Sequence, residues 1–171
     1  MNARIAINGF GRIGRMVFRK AILDEGLDIV AVNASYPATT LAHLLKYDTI
    51  HGKFDGEIVV EDDALVVNGR RVQLINNRDP KQLPWKELNI DIVVEATGKF
   101  NERDKAAFHL EAGAKRVILS APGKNEDVTI VMGVNEEALD IEKHFVDCVS
   151  EMVGRQLTHE DVLKAIKTGW I

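Results

Sequence analysis

Three glycines, Gly9, Gly11 and Gly14, stand at the spacing Gly-x-Gly-x-x-Gly, directly after an apolar run and directly before apolar residues at helical spacing. Such a triplet alone is common in turns; between a strand and a helix it is a cradle for a dinucleotide. The first glycine permits the tight turn, the second lets the backbone approach a pyrophosphate, and the third lets helix pack against strand. Free N–H groups at the helix start and the positive end of its dipole then meet the phosphate charge. The plainer alternative is a turn whose glycines serve only the backbone.

The usual companion of this triplet is a carboxylate about twenty residues on, at the end of the second strand, bonding the ribose 2′-hydroxyl. That place here reads Val32, Asn33, Ala34, Ser35, Tyr36, with no acid. An Asp would repel a 2′-phosphate, whereas Ala34 and the Ser35 hydroxyl would not. The expectation is a pocket that tolerates or prefers NADP over NAD; the alternative is that Asn33 replaces the acid as a ribose partner. Other constellations are thin. The histidines His43, His51, His109, His144 and His159 show no metal-ligand spacing beside cysteine. Glu61, Asp62 and Asp63 read as a solvated turn. Lys46, Lys53, Arg70 and Arg71 are scattered, without the stripe that grips nucleic acid.

The elements that must position these residues alternate. Ala3 to Asn8 is a strand suited to burial on both faces. Arg12 to Glu25 is a helix closed by Gly26, and Leu27 to Asn33 is a second strand, completing a strand–helix–strand unit. Thr39 to Tyr47 reads as helical. Glu57 to Glu61, Ala64 to Val67 and Arg71 to Asn76 are short strands, and Asn68-Gly69 between β-branched runs is a hairpin signal, so a small antiparallel insert is expected around 57–76. Ile90 to Ala96 is a strand, Glu102 to Ala112 a helix ended by Gly113, and Lys115 to Ser120 and Val128 to Val134 are strands. Strands alternating with helices predict an α/β fold, a doubly wound, mostly parallel sheet of the Rossmann type.

The chain has 171 residues and a formal net charge of −4, with 46% hydrophobic and 28% charged residues. That is globular composition, and the length fits one domain of ordinary size, or one domain plus a small appendage. The domain is expected over 1–150. The tail, 151–171, carries Thr158 as N-cap, an apolar stripe of Val162, Leu163 and Ile166, and Gly169 to end a short helix. A helix of about three turns is marginal alone, so it is expected to dock on the domain. The mild acidity argues against nucleic acid as a partner. No run approaches about eighteen apolar residues, which argues against a membrane span. The single Cys148 cannot form an internal disulfide, and a reducing cytoplasm is the expected compartment.

Longer stretches carry a resemblance. Ala6 to Arg15, Leu41 to Gly52, Asn77 to Pro80, Asp91 to Gly98, Glu111 to Ile118, Ser120 to Pro122 and Lys124 to Asn135 resemble the cofactor domain of the glyceraldehyde-3-phosphate dehydrogenases, over roughly positions 1–146. Ala34 and Ser35 make the chain similar to the NADP-preferring, anabolic branch of the bacterial enzymes. The resemblance implies an oxidoreductase of glycolysis or gluconeogenesis, with NADP or NAD as cofactor. It implies that Arg12 and Ile13 meet the pyrophosphate through their backbone, and that Arg78 lies along the adenine edge. Thr97 and Gly98 would lie near the adenine-ribose and phosphate path, Ser120 near the nicotinamide, and Asn8 and Phe10 would shape the same pocket. His51, in a stretch that faces a neighbouring subunit in the family, reads as a structural or interface residue rather than a catalytic base, which leaves a homo-oligomer open.

The chain also departs from the pattern. The family follows this domain with a Ser-Cys-Thr-Thr-Asn segment, whose thiolate attacks the aldehyde with the help of a later histidine. Continuing the match without a gap puts Met152 at the nucleophile's place, and Cys148 falls four positions early, within what reads as the last strand. Cys148 is therefore expected to be a buried structural residue. The expectation is a truncated, cofactor-binding chain with no catalytic residue, incompetent alone. Two alternatives stay open: one half of an enzyme completed by a second chain, and a non-catalytic interaction or regulatory protein with a vestigial pocket.

Overall fold

The computed structural model describes residues 2–131, 134–140 and 144–150. The expected tail helix and Met152 lie outside the described residues. The chain opens with β1 (Ala3–Asn8), α1 (Arg12–Ala21) and β2 (Leu27–Asn33), a parallel strand–helix–strand unit. Then come α2 (Ala38–Lys46), a small hairpin of β3 (Tyr47–Asp48) and β4 (Gly52–Lys53), and β5 (Ile58–Val60), β6 (Ala64–Val67) and β7 (Arg70–Ile75). The second half holds β8 (Ile92–Glu95), α3 (Arg103–Ala106), α4 (Phe108–Glu111), β9 (Arg116–Leu119), β10 (Val128–Val131) and β11 (Val146–Ser150).

The main sheet runs β10-β11-β9-β8-β1-β2-β7-β6-β5. From β10 to β7 every pairing is parallel, and only β6 runs against the rest, pairing antiparallel with β7 and with β5. The expected insert is thus an extension of the sheet: β7 pairs with β2 in parallel, and the hairpin folds outward from it. Asn68 and Gly69 both take positive φ, 50° and 79°, the backbone of the expected tight hairpin turn. The chain leaves β1 towards β2 on one side and later places β8 on the other. A crevice therefore opens at the carboxyl ends of β1 and its neighbours, where such folds bind ligands.

Both faces of the sheet are covered, which is why the central strands read as continuous apolar runs. On one face Ile5, Ile7, Ile92, Val94 and Ile118 pack with Val17 and Phe18 of α1 and Leu41 and Leu45 of α2. On the other, Ala6, Ala31 and Val93 meet Trp85 and Ile90, while Val117 and Leu119 meet Ala106 and Leu110. Trp85 is fully buried. It belongs to the segment between β7 and β8, pinned by the Lys86 N–H on the Ala112 carbonyl at 3.0 Å.

Two expected helices differ. Helix α1 stops at Ala21 rather than Glu25: Leu23 is exposed, and the Asp24 carboxylate takes the Gly26 N–H at 2.9 Å, an Asx-type turn that competes with another helical turn. Gly26 does not adopt positive φ, so it is no left-handed cap; Gly113, at φ +106°, does close its helix. The helix expected over 102–112 is two single turns, α3 and α4. Its ladder shifts at Ala107, whose carbonyl takes the Leu110 N–H at 2.9 Å as well as that of Glu111 at 3.0 Å. Strand β10 is described only to Val131. Cys148 lies in β11, between Thr129 and Leu119, as the last-strand reading expects; its side chain lies outside the described residues.

Asp127 ties the crossover before β10 to the far strands. Its carboxylate accepts from Arg103 Nε at 2.5 Å and from the N–H groups of Phe145 at 2.8 Å and Val146 at 3.0 Å. Burial alone would raise its pKa, but the Arg103 bond and the two amides outweigh it, and the net direction is down. A lowered folded pKa means stability that is present above the unfolded value of about 3.9 and lost as pH falls through the folded one. Asp127→Asn is therefore expected to lower the melting temperature by a few degrees at pH 7 and by clearly less at pH 3. Thermal melts across that range check it; an equal drop at both pH values would remove the charge from the account.

Candidate functional site

The glycine loop follows β1 directly. Gly9 takes φ +96°, and its N–H donates to the Asn33 carbonyl at 2.9 Å, joining the loop to the end of β2. A side chain at Gly14 is excluded, since its Cβ would lie 2.1 Å from the Gly9 carbonyl oxygen. Gly11 differs: its φ is −71°, and a Cβ there would meet nothing within 4 Å. Nothing inside the fold asks for glycine at position 11. Its bare Cα faces open space at the start of α1, where no side chain caps the helix and no acid stands in the first turn. Arg15 braces the loop, with Nη1 donating to the Phe10 carbonyl at 3.0 Å, and the Phe10 ring packs edge-on against Phe18.

The loop forms one wall of a cleft of about 480 Å³. Asn8, Gly9, Phe10 and Gly11 come from β1 and the loop, Asn33 to Tyr36 from the end of β2, and Leu41 and Leu44 from α2. Asn77, Arg78 and Pro80 follow β7, and Ala96, Thr97, Lys99 and Phe100 follow β8. Among the described residues the lining holds three cations, Arg15, Arg78 and Lys99, and no carboxylate. Burial lowers the Arg15 pKa, Asp48 opposes this, and Arg12 and Arg19 push it further down, the mark of crowded positive charge on α1. Such a cleft is built for an elongated anion with an apolar part, and a phosphate at the helix start needs no further donor set than the loop supplies.

A polar row runs from the cleft wall into the sheet behind it. The sheet register sets Asn33 beside Asn8 and Asn8 beside Glu95, so three adjacent strands each end in a polar residue. Asn33 Nδ2 donates to Asn8 Oδ1 at 2.6 Å and to the Asn77 carbonyl at 2.8 Å, and Asn33 Oδ1 accepts the Asn77 N–H at 3.0 Å. Glu95 accepts from Asn8, from His109 at 3.0 Å, and from both the N–H (2.8 Å) and hydroxyl of Thr97.

Of the residues singled out in the sequence, Asn8, Gly9, Phe10, Gly11, Asn33, Ala34, Ser35, Arg78 and Thr97 line this one cleft. Arg12, Ile13, Gly98 and Ser120 do not. Arg12 and Ile13 point outward from the first turn of α1, leaving only their backbone to the loop, and Gly98 is exposed. The Ser120 hydroxyl instead donates to the Glu95 carbonyl at 2.8 Å, tying β9 to β8. Sequence reasoning missed Asn77, Lys99 and Phe100 in the lining, and Glu95, His109 and Trp85 behind it. A signal for Glu95 existed: a carboxylate ending an apolar run whose preceding residues are buried on both faces needs partners.

Comparison with known proteins agrees with this geometry. The family model described as "Glyceraldehyde 3-phosphate dehydrogenase, NAD binding domain" matches residues 3–103. The chain is 69% identical over 146 residues to "Glyceraldehyde-3-phosphate dehydrogenase 2" of Bacillus subtilis (strain 168), covering 85% of this chain and 43% of that protein. It is 56% identical over 146 residues to the glyceraldehyde-3-phosphate dehydrogenase of Geobacillus stearothermophilus, with 85% and 44% covered. To that of Thermotoga maritima it is 48% identical over 152 residues, with 86% and 45% covered. The chain spans less than half the length of these curated relatives. Matched over more than half its own length, with the glycine loop at the sheet's switch point, it belongs to the glyceraldehyde 3-phosphate dehydrogenase NAD-binding domain family.

Proposed function

We propose that this chain binds NADP or NAD in the cleft at the end of β1, as the cofactor half of an NAD(P)-dependent glyceraldehyde-3-phosphate dehydrogenase, and that alone it does not oxidise the aldehyde. The observation that carries the reading is Gly11: a glycine without internal cause, at an uncapped helix start, in a cleft with cations and no carboxylate. Bound there, a nicotinamide supplies the hydride acceptor or donor. The chain's own residues do the rest. Gly11, Arg12 and Ile13 offer backbone to the pyrophosphate, Ala34, Ser35 and Arg78 form the surroundings of the adenosine ribose, and Thr97, Gly98, Ser120, Asn8 and Phe10 complete the site. Incompetence alone follows from Met152, which stands at the family's nucleophile position and cannot form a thiolate. No helix among the described residues is long and apolar enough to cross a membrane; the cytoplasm and a homo-oligomer complete the proposal, and the tail at 151–171 is its docked appendage.

Two substitutions separate a cofactor loop from a mere turn. Gly11→Ala is expected to keep wild-type stability yet weaken dinucleotide binding at least tenfold, because its methyl occupies the pyrophosphate's approach. Gly14→Ala is expected to destabilise the fold by about 3 kcal/mol. Wild-type affinity in Gly11→Ala, measured by calorimetry, would refute the cleft as the binding site.

Cofactor choice is tested at position 34. A carboxylate beside a 2′-phosphate costs about 1 kcal/mol per charge pair at 4 Å even in a water-like dielectric. Ala34→Asp should therefore shift the NADP-to-NAD affinity ratio roughly tenfold towards NAD. An unchanged ratio would take the 2′ group away from position 34.

A further inference from the structure

An indole N–H can only donate, and a carboxylate can only accept. Between Trp85 and Glu95 these two ends dictate the direction of every hydrogen bond. Trp85 Nε1 donates to His109 Nδ1 at 3.0 Å, so the ring's proton sits on Nε2, which donates to Glu95 Oε2 at 3.0 Å. The same oxygen accepts from Asn8 Nδ2. Asn8 must then turn its Oδ1 the other way, where it accepts from Asn33 Nδ2, and Asn33 in turn clasps the N–H and carbonyl of Asn77. The second Glu95 oxygen holds the N–H and hydroxyl of Thr97.

Trp85, His109, Glu95, Asn8 and Asn33 are each at most 9% exposed. A buried carboxylate is costly, and a merely space-filling role would be met by an apolar side chain. Here all of its side-chain donors but one, His109, and its backbone donor belong to Asn8 and Thr97, both on the cleft wall. Glutamine cannot replace it: whichever way its amide turns, the NH2 end faces a donor, either Asn8 Nδ2 with His109 Nε2 or the Thr97 N–H.

We infer that Glu95 is a positioning residue for the dinucleotide, oriented by the donor-only indole of Trp85 through His109. From one buried charge it sets Thr97 on one stretch of the cleft and, through Asn8 and Asn33, the Asn77-Arg78 segment on another. The inference rests on the cofactor reading above and adds three residues that touch no ligand. It makes the amide orientations of Asn8 and Asn33 consequences of the acceptor-only Glu95 carboxylate.

Calorimetry with NAD and with NADP tests it on the full chain and on Glu95→Gln, His109→Leu and His109→Gln. Glu95→Gln and His109→Leu are expected to weaken both dinucleotides about tenfold or more with their ratio unchanged, as loss of a charge-assisted bond implies. Gln at 109 offers an acceptor to Trp85 and a donor to Glu95, and is expected to recover affinity to within about threefold of wild type. Folded Glu95→Gln with wild-type affinity overturns the inference, and so do His109→Leu and His109→Gln falling alike. Where the variants do not fold, 15N–1H spectra of the wild-type chain decide: the Trp85 indole and His109 Nε2–H signals are expected to shift as NADP saturates, and signals unmoved at saturation overturn the role. A wild-type chain that binds neither dinucleotide overturns the cofactor reading with it, whereas unimpaired binding by Glu95→Gln overturns this inference alone.

Discussion

A Cβ on Gly14 would sit 2.1 Å from the carbonyl oxygen of Gly9, so α1 can leave β1 at its observed angle only because that Cα is bare. The approach fixes where the helix begins. Gly9, at positive φ and with Thr97 2.8 Å from any Cβ it could carry, closes the turn against the end of β8. Phe18 and Val17, fully buried, then hold the helix flat on Ile5 and Ile7 of β1. The N-terminus of α1 is thereby aimed into the crevice between β8 and β2, and its dipole adds to the charge of Arg15, Arg78 and Lys99 in the cleft. Moving the helix outward by the width of one methyl would displace the loop, the charge and the crevice together.

What the sequence made legible is what short-range periodicity can encode. The glycine triplet, the strand–helix–strand unit and the Asn68-Gly69 turn all depend on residues within about thirty positions of one another. The end of α1 was misread because an Asp side chain two residues before Gly26 competes with the backbone ladder, an effect that hydropathy does not carry. The hairpin of β3 and β4 has two residues in each strand, too few to show alternation. That β7 joins β2 in parallel, and so extends the main sheet, depends on a pairing between segments about forty residues apart.

The site divides along the same line. Residues of the first loop and of the β2 end were found because motif logic points at them. Glu95, His109 and Trp85 were not, because their partners lie far along the chain: Asn8 and Glu95 are 87 residues apart, and Trp85 and His109 are 24 apart. Each looks ordinary alone, a carboxylate at the end of a strand, a histidine in a helix, a tryptophan in a loop. Only the parallel register that lays Asn33, Asn8 and Glu95 side by side makes them one row.

That row also bears on how the end of β2 can read a ribose. A carboxylate there presents two acceptor oxygens and repels a phosphate. Asn33 stands beside that place, but both its Nδ2 protons are engaged, one by Asn8 and one by Asn77, and its Oδ1 already accepts the Asn77 N–H. One lone pair of Oδ1 is what remains, so a hydroxyl meeting Asn33 must be the donor. A 2′-phosphate, which brings only acceptors at neutral pH, gains nothing from Asn33 and must find its donors next door. Ser35 and Arg78 line the same cleft, and Ala34, which lines it too, adds no charge. On the proposed reading, discrimination between the two dinucleotides falls to positions 34, 35 and 78 rather than to Asn33, whose amide is committed to holding the wall.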